Sequence, residues 1–440
     1  MTERPPKVLH PSRPHDSDGD MSSHGALGGI GRALGNSSFR QYFYGLIAST
    51  TGFWAYRVAL GWLVWELTHS PAWLGLIVFV EVVPMLLLGP VGGTVVDQKG
   101  ALKITRMTQV CWAVVLTMLA VLTLMGWASK EVLLVIAFLQ GVVAGISNPG
   151  HLALVAKILP RSDLSPAIAL QSGVVQTGRF VGPAIAGPLL VYFNAGVVFA
   201  LVAAAFTFAA VNLWFVKTLE PETPAGSRGF LGDFADGMRY TFEHFAIRTI
   251  IVYTAIMSFL LRPVVELLPG FADVVFGRGA EGLAWLLSAF GLGSLISAVH
   301  IAMRGETKGL TRIFTINLII GAISLLAFGF TENFWLAMAL TVVFGMTTNT
   351  VSIASQILSQ QMVAGHMRAR VMSILGMTFR AVPAAGALFQ GWAASAFGLN
   401  APVIFASILC ILAWARLVHI SGRGNLAKQA EGDPPTTAAK

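Results

Sequence analysis

The stretch that decides the fold is FYGLIASTTGFWAYRVALGWLVWEL, residues 43–67. At about 1.5 Å per residue, a helix of this length crosses the hydrocarbon layer of a bilayer, which is about 30 Å thick. Arg57 lies inside this apolar stretch. A charge within a membrane helix costs on the order of 3 kcal/mol on insertion scales, and it ordinarily faces a cavity or a charged partner. The stretch therefore predicts a membrane helix with a polar environment on one side.

The composition indicates an integral membrane protein. Of the 440 residues, 55% are hydrophobic and 11% are charged, whereas a soluble protein carries about 25% charged residues. Cys111 and Cys410 lie inside apolar runs, so we expect them to pack between helices and not to form a disulfide. The chain has no Walker A sequence, no zinc-ligand spacing and no nucleophile elbow. We therefore expect no enzyme activity, no cofactor and no metal.

Twelve apolar segments follow one another along the chain, and each ends at a proline, a glycine or a charged cluster. Such segments predict transmembrane helices. Their bounds are 43–67, 73–96, 104–127, 132–156, 167–192, 197–216, 247–268, 283–303, 313–330, 334–358, 371–396 and 401–420.

Basic residues are distributed unequally between the two predicted sides of the membrane. With a cytoplasmic N-terminus, the outer loops contain only Lys130 and Arg278. The inner connections contain Lys99, Lys103, Arg106, Lys157, Arg161, Lys217, Arg228, Arg239, Arg248, Arg304, Lys308, Arg312, Arg368 and Arg370. Because basic loops stay on the cytoplasmic side, the chain is predicted to be an integral protein of the cell (inner) membrane with both termini in the cytoplasm. The same asymmetry explains the net charge of +8 without a nucleic-acid partner.

The predicted domain organisation is two membrane bundles joined by a linker. Residues 39–216 form an N-terminal six-helix bundle, residues 217–246 a cytoplasmic linker and residues 247–420 a C-terminal six-helix bundle. Within the linker, GDFADGMRYTFEHFAIR predicts an amphipathic helix that lies along the membrane surface. Residues 1–38 and 421–440 are rich in small and polar residues and are predicted to be disordered cytoplasmic tails.

The two predicted bundles resemble each other in sequence. VVAGISNPGHLAL in the fourth segment resembles VVFGMTTNTVSIA in the tenth. FWAYRVALGWL in the first resembles SFLLRPVVELL in the seventh, which relates Arg57 to Arg262. GRFVGPAIAG in the fifth resembles FRAVPAAGAL in the eleventh, which relates Arg179 to Arg380. A duplicated six-helix unit is the plan of a secondary transporter whose site lies between its halves.

One polar connection carries a recognisable motif. The sequence GGTVVDQKGALKITR, residues 92–106, resembles the inner-loop signature of the major facilitator superfamily through Gly93, Asp97, Gly100 and Lys103. The resemblance implies that the aspartate braces neighbouring helix ends and that basic residues complete a cytoplasmic gate. Gln98 and Ala101 replace residues that are usually basic in the family, which predicts a weaker gate. An ordinary aspartate in a polar turn is the alternative interpretation.

The fifth apolar segment contains a glycine-rich motif. GRFVGPAIAGPLL resembles the antiporter signature of the same superfamily through Gly178, Gly182, Pro183 and Gly187. The spacing gives a smooth helix face for close packing, and the proline bends the helix. In the family this motif accompanies export. Packing alone is the alternative.

A wider resemblance covers residues 39–420. VALGWLVWELTHSPAWLGL, ILPRSDLSPAIAL and MRARVMSIL resemble the branch of the superfamily that contains enterobactin exporters and macrolide efflux proteins. The resemblance implies an all-α membrane protein with twelve transmembrane helices in two pseudo-symmetric six-helix bundles that rock about a central site. It also implies a monomeric proton antiporter that exports an amphipathic, anionic small molecule, either siderophore-like or an antibiotic.

Charged residues within the apolar segments are the candidate site. Four arginines are expected to bind or neutralise the substrate: Arg57, Arg179, Arg262 and Arg380. A positive, shielded cavity attracts an anion. Glu81 and Glu266 are the candidates for proton coupling. The sequence leaves open whether Glu81 pairs with Arg57, and whether Glu266 pairs with Arg262 one helical turn before it.

Uncharged residues complete the predicted site. The cavity-lining candidates are Trp54, Asn148, Asn349 and Gln356. Aromatic residues beside Arg57 could stack on a flat ligand or on an arginine. His151 and His300 are expected to be interfacial. The alternatives to export are uptake of a small organic anion and a non-transporting sensor or scaffold.

Overall fold

A computed structural model describes residues 26–219, 230–304 and 309–424, which contain helices and no strands. The first seven helices are α1 (Ala26–Gly35), α2 (Ser37–Thr68), α3 (Pro71–Lys99), α4 (Ala101–Leu124), α5 (Lys130–Ile158), α6 (Leu164–Tyr192) and α7 (Ala195–Trp214). The others are α8 (Phe230–Glu243), α9 (Phe245–Leu260), α10 (Val264–Gly270), α11 (Gly279–Arg304), α12 (Leu310–Phe330), α13 (Phe334–Met362), α14 (Arg368–Phe397) and α15 (Asn400–Gly424). A 3-10 turn (Arg161–Asp163) precedes α6, and a π-helical turn (Phe271–Val275) continues α10.

The helices have the length and hydropathy of membrane spans. In the described ranges, eleven helices are long and apolar enough to cross a bilayer, with Phe245–Val275 counted as one. Of the twelve predicted segments, only the first is missing from this set. Its helix, α2, is long enough at 32 residues, but Arg57 and its polar neighbours lower the hydropathy. The prediction of an all-α membrane protein is confirmed. Hydropathy alone gives eleven spans and not twelve, because α2 is too polar to be counted.

Short polar side chains and one glycine set the helix boundaries. Asn36 accepts a hydrogen bond from Phe39 N at 3.1 Å and begins α2, and Asn333 does the same for α13 through Trp335 N at 3.0 Å. Such caps satisfy backbone N–H groups that lack a partner within the helix. Gly100 separates α3 from α4 with φ +89°, a conformation that favours glycine.

The ends of the chain are more ordered than the composition predicts. Residues 26–35 lie in the predicted disordered tail but form α1, in which Ala33 is fully buried and Arg32 Nε lies 3.3 Å from Asp163 Oδ1. At the other end, α15 continues to Gly424, past the predicted boundary at residue 420. The remainder of both predicted tails lies outside the described residues.

The predicted linker contains a helix attached to the second half of the chain. Asp236 on α8 lies 3.3 Å from Arg370 on α14, and Tyr240 Oη accepts a hydrogen bond from Ala364 N at 3.3 Å. The predicted amphipathic helix is interrupted at His244, after which α9 begins. Its placement on the membrane surface stays a prediction, and residues 220–229 lie outside the described part.

Two helix seams join the first half (α2–α7) to the second half (α9–α15), and glycines make both possible. In the α3–α14 seam, a Cβ on Gly75 would overlap Ala387 O. In the α6–α11 seam, a Cβ on Gly187 would overlap Ala284 Cβ, and one on Gly291 would overlap Arg179 O. Because glycine lacks a Cβ, helix backbones approach closely at these positions. The halves therefore dock backbone against backbone along two edges.

The halves are closed together at one end and apart at the other. At the closed end, Trp65 Nε1 donates to Asp273 Oδ2 at 2.8 Å, and Ala72 N donates to Ser395 Oγ at 3.1 Å. The other hydrogen bonds between the halves are those of Arg57 with Glu266 and of Arg380 with Met85, and none between described residues joins the halves near the α3–α4 turn. The bundle thus opens at the end that carries the α3–α4 turn.

Candidate functional site

A cavity of about 540 Å³ lies between the two halves. Its walls include residues of the first half from α2 to α7 and residues of the second half from the α9–α10 turn, α10, α11 and α14. All six predicted charged residues line it, namely Arg57, Glu81, Arg179, Arg262, Glu266 and Arg380. The structure therefore brings together charges that are up to 323 positions apart in sequence, from 57 to 380.

Arg57 forms ion pairs with glutamates from both halves. Its Nη1 lies 2.8 Å from Glu81 Oε2, and its Nη2 lies 2.6 Å from Glu266 Oε1. The side chains of Glu81 and Arg57 are 12% and 19% exposed, and that of Glu266 is 30% exposed. Charge-assisted hydrogen bonds to a guanidinium are short and strong in such surroundings. Arg57 is thus both paired locally and connected across the interface.

The partner of Glu266 differs from the one that the helical spacing suggested. Glu266 pairs with Arg57, and within the described residues Arg262 has no ion pair within 4 Å. The reason is that Arg262 lies in the turn between α9 and α10, before Pro263. Residues four apart face each other only along a continuous helix. The turn therefore separates Arg262 from the carboxylate that follows it.

The other three arginines contact aromatic rings or sulfur. The guanidinium carbon of Arg179 lies 4.9 Å from the centre of the Trp54 ring, and that of Arg262 lies 5.8 Å from the centre of the Phe379 ring. Arg380 Nη1 lies 3.3 Å from Met85 Sδ. In the described part of the chain, Arg179 Nε is buried without a hydrogen-bond partner. Trp54 therefore stacks on the arginine of α6 and not on its sequence neighbour Arg57.

The glycine motif of the fifth predicted segment positions Arg179. A Cβ on Gly182 would lie 2.6 Å from Trp54 Cβ, and one on Gly178 would lie 3.0 Å from Thr50 Cγ2. These glycines let α6 pack closely on α2, which places the Arg179 side chain over Trp54. Pro183 lines the cavity itself, whereas Gly187 belongs to the α6–α11 seam.

The cavity carries an excess of positive charge. Four arginines face two glutamates among its lining residues, which leaves a formal charge of +2. Field lines are focused in a cleft with apolar walls, so such a cavity attracts anions. This arrangement, a charged cavity between two similar helix bundles, is that of a carrier that exposes one central site alternately to each side.

The protein-family comparison agrees with this architecture. The family model described as transmembrane secretion effector matches residues 32–431. The chain belongs to this family of major facilitator superfamily transporters. The predicted resemblance to an efflux branch of the superfamily is confirmed, and so is the expectation that the protein is a transporter and not an enzyme.

Curated relatives of the transporter include two kinds of carrier. The staphyloferrin A transporter of Staphylococcus aureus is 24% identical over 366 residues, which cover 82% of this chain and 91% of that protein. The multidrug efflux pump Tap of Mycobacterium tuberculosis (strain ATCC 25618 / H37Rv) is 23% identical over 406 residues, which cover 87% of this chain and 94% of that protein.

Solved structures share the fold of the transporter. The nucleoside transporter NupG matches with a TM-score of 0.68 at 12% identity, over 87% of this chain and 98% of that chain. A bacterial homologue of the human lysosomal transporter Spinster, in an inward-facing and occupied conformation, matches with a TM-score of 0.68 at 15% identity, over 88% and 97%. At these identities the likeness concerns the fold alone.

Of the uncharged candidates for the cavity lining, some line the cavity and others do not. Asn148 on α5 lines the cavity. Asn349 on α13 does not, since its Nδ2 donates to Ser294 O at 2.9 Å in the seam between α11 and α13. Gln356 on the same helix is exposed and also lies outside the cavity lining. The transporter therefore uses α5 and not its repeat counterpart α13 to line this cavity.

The sequence-based prediction of the cavity lining misses several polar residues and misplaces one. Gln109 on α4 and Gln171 on α6 line the cavity, and so does His151, which was expected at an interface. The available signal for Gln109 was an amide within a predicted membrane helix. His300, the second histidine considered, is exposed on α11.

The predicted gate motif lies at the open end of the transporter. Asp97 and Lys103 are exposed on α3 and α4. Within the described residues, the Asp97 carboxylate has no hydrogen bond or ion pair. Gly100 makes the turn between the two helices, and Gly93 faces open space. The motif is therefore disengaged where the two halves are apart.

Proposed function

We propose that the transporter exports an amphipathic organic anion, siderophore-like or an antibiotic, in exchange for protons. The observation that carries the proposal is the central cavity with a formal charge of +2. The printed functions of the relatives, a siderophore transporter and a multidrug efflux pump, are consistent with such a substrate. Both termini and the open end of the cavity face the cytoplasm in this proposal.

The cavity walls suit an amphipathic molecule. Apolar side chains from both halves, among them Phe206, Leu287 and Phe290, line it together with the six charged residues. A ligand that buries apolar surface gains free energy in proportion to that area. In this proposal its anionic group contacts both Arg57 and Arg179, which line the same cavity.

The Arg57–Glu266 pair provides a route for coupling. It bridges the halves, so it opposes their separation at the closed end while the cavity is empty and both glutamates are ionised. An anion that binds Arg57 replaces Glu266 as its partner, and a proton that neutralises Glu266 also breaks the ion pair. Either ligand alone permits the bundles to rock, so substrate moves out and protons return in alternate steps. Glu81 then holds Arg57 in place during both steps.

Uptake with proton symport is the second candidate, and the same geometry favours it in one respect. An anion bound near Glu81 and Glu266 makes their protonation more favourable, so proton and anion bind cooperatively. Export then requires that the doubly loaded form move slowly. The direction of transport relative to the pH gradient distinguishes the two.

The test is transport by the purified protein in liposomes with an imposed pH gradient, for a panel of siderophores and amphipathic anionic antibiotics. The proposal predicts that substrate leaves the alkaline compartment as protons enter it. Movement of substrate together with protons would establish uptake instead. A pH gradient that drives no member of the panel would overturn proton coupling.

A further inference from the structure

The two halves contribute different chemistry to the cavity wall. In the described lining, all the uncharged side chains with a hydrogen-bonding group belong to the first half. They are Ser49, Thr50, Trp54, Gln109, Trp112, Ser147, Asn148, His151 and Gln171. The polar side chains of the second half in this lining are Arg262, Glu266 and Arg380. The wall formed by the first half therefore offers neutral donors and acceptors that the opposite wall lacks.

Gln109 is the most informative of these residues. Its side chain lines the cavity on α4, and the residue is 2% exposed. Its Nε2 atom is buried and has no hydrogen-bond partner in the described part of the chain. Buried polar groups in proteins are normally hydrogen-bonded, so the unpaired amide of a cavity-lining residue is available to a ligand atom.

A second amide lies on the neighbouring helix. Asn148 on α5 lines the same cavity, and α4 and α5 pack against each other. No hydrogen bond of the Asn148 side chain is formed within the described residues. Gln171 differs, because its Nε2 donates to Tyr42 Oη at 3.3 Å. The two available amides are thus those of Gln109 and Asn148.

These amides lie nearer the open end than the deepest charges. At 1.5 Å per residue, Gln109 lies about 12 Å along α4 from Ala101, and Asn148 about 15 Å along α5 from Ile158. Arg179 lies about 22 Å along α6 from Leu164. All three helix ends are at the open side. The amides are therefore displaced from Arg179 by several ångströms toward the mouth of the cavity.

We propose that Gln109 and Asn148 form a neutral hydrogen-bonding subsite for an uncharged oxygen of the substrate, such as a carbonyl. The anionic group of the same molecule binds deeper, at Arg179. This inference rests on the proposed function and narrows the substrate class to elongated anions with a neutral acceptor at the opposite end. The first half thus binds both the acceptor and the anionic group, and the second half adds Arg262, Arg380 and apolar surface to the cavity.

The test compares two rigid probes, biphenyl-4-carboxylate and 4′-acetylbiphenyl-4-carboxylate, by calorimetric titration of the transporter in lipid nanodiscs. The probes share the anion and the biphenyl body and differ by one acetyl group, which contributes a carbonyl and a methyl group. We expect the acetyl probe to bind up to about tenfold more tightly, as one additional hydrogen bond allows. Q109L should reduce this preference, measured as the ratio of the two affinities. An unchanged thermal unfolding temperature shows that the variant is folded.

The matched control is Q356L, the same substitution outside the cavity, which should preserve the preference. Equal binding of both probes by the unsubstituted protein would overturn the subsite while leaving the anion site intact. A preference that survives in both Q109L and N148L would overturn the assignment of these residues. If neither probe binds, the anion-binding cavity itself is overturned, and the subsite with it.

Discussion

Arg57 Nη2 and Glu266 Oε1 lie 2.6 Å apart and connect α2 in the first half to α10 in the second. The same guanidinium holds Glu81 of its own half at 2.8 Å. One arginine thus belongs to both a local pair and an interface pair. Breaking the interface pair leaves Arg57 paired with Glu81, so the arginine does not become an unpaired buried charge, which is strongly unfavourable. Glu266 then loses its partner, and a proton can neutralise it.

The first prediction concerns this interface pair. E266Q removes the ionised partner of Arg57 across the halves and mimics a permanently protonated glutamate. We expect transport down a substrate gradient to continue and accumulation driven by a pH gradient to be lost. The measurement is counterflow beside pH-driven transport in liposomes. E66Q, a change at an exposed glutamate of α2 outside the cavity lining, should keep both activities, and an E266Q variant that still accumulates substrate would contradict the proposed role.

The second prediction concerns Arg179. R179Q removes a cavity charge that has no acidic partner in the described residues, so the affinity for an anionic substrate should fall by about tenfold or more, as for a lost charge-assisted hydrogen bond. R179K should recover part of it. The control is R278Q, because Arg278 also stacks on a ring, 4.7 Å from the centre of Phe334, but outside the cavity. Unchanged affinity in R179Q with normal expression would contradict a binding role.

The third prediction concerns the glycine motif. A methyl group at Gly182 would lie 2.6 Å from Trp54 Cβ and 2.9 Å from Thr51 O, so G182A forces α6 away from α2. Overpacking of this kind costs about 1–3 kcal/mol. We expect a lower thermal unfolding temperature and weaker anion binding, because Trp54 and Arg179 separate. G89A is the matched control, since nothing lies within 4 Å of that position among the described residues; equal stability of the two variants would argue against the packing role.

The fourth prediction concerns the closed end. Ala72 N and Ser395 Oγ are 3.1 Å apart across the α3–α14 seam, so an A72C and S395C pair, introduced after C111S and C410A, should form a disulfide rapidly. The cross-link should stop transport, and a reductant should restore it. Adding substrate should slow cross-linking, because a bound anion releases Arg57 from Glu266. Transport that continues in the cross-linked protein would show that this seam does not open.

Local properties of the chain were predictable from the sequence. Hydropathy, prolines and glycines are read residue by residue, and they marked the membrane helices, the α3–α4 turn at Gly100 and the duplicated halves. The cost of a charge in a membrane likewise singled out the four arginines and two glutamates before any contact was known. These predictions depend only on the residues within one helix or turn and on the cost of placing them in a membrane.

The tertiary structure decided which of these residues meet. Helical spacing predicts an ion pair between Arg262 and Glu266. Because a turn precedes α10, Glu266 forms its ion pair with Arg57 instead. Asn349 is a polar residue within a membrane helix, as a site residue would be, but its amide donates a hydrogen bond to Ser294 O. Gln109 lines the cavity because of the way α4 packs. Partners of this kind depend on how separate helices dock, and docking is set by glycine contacts that lie far apart in the sequence.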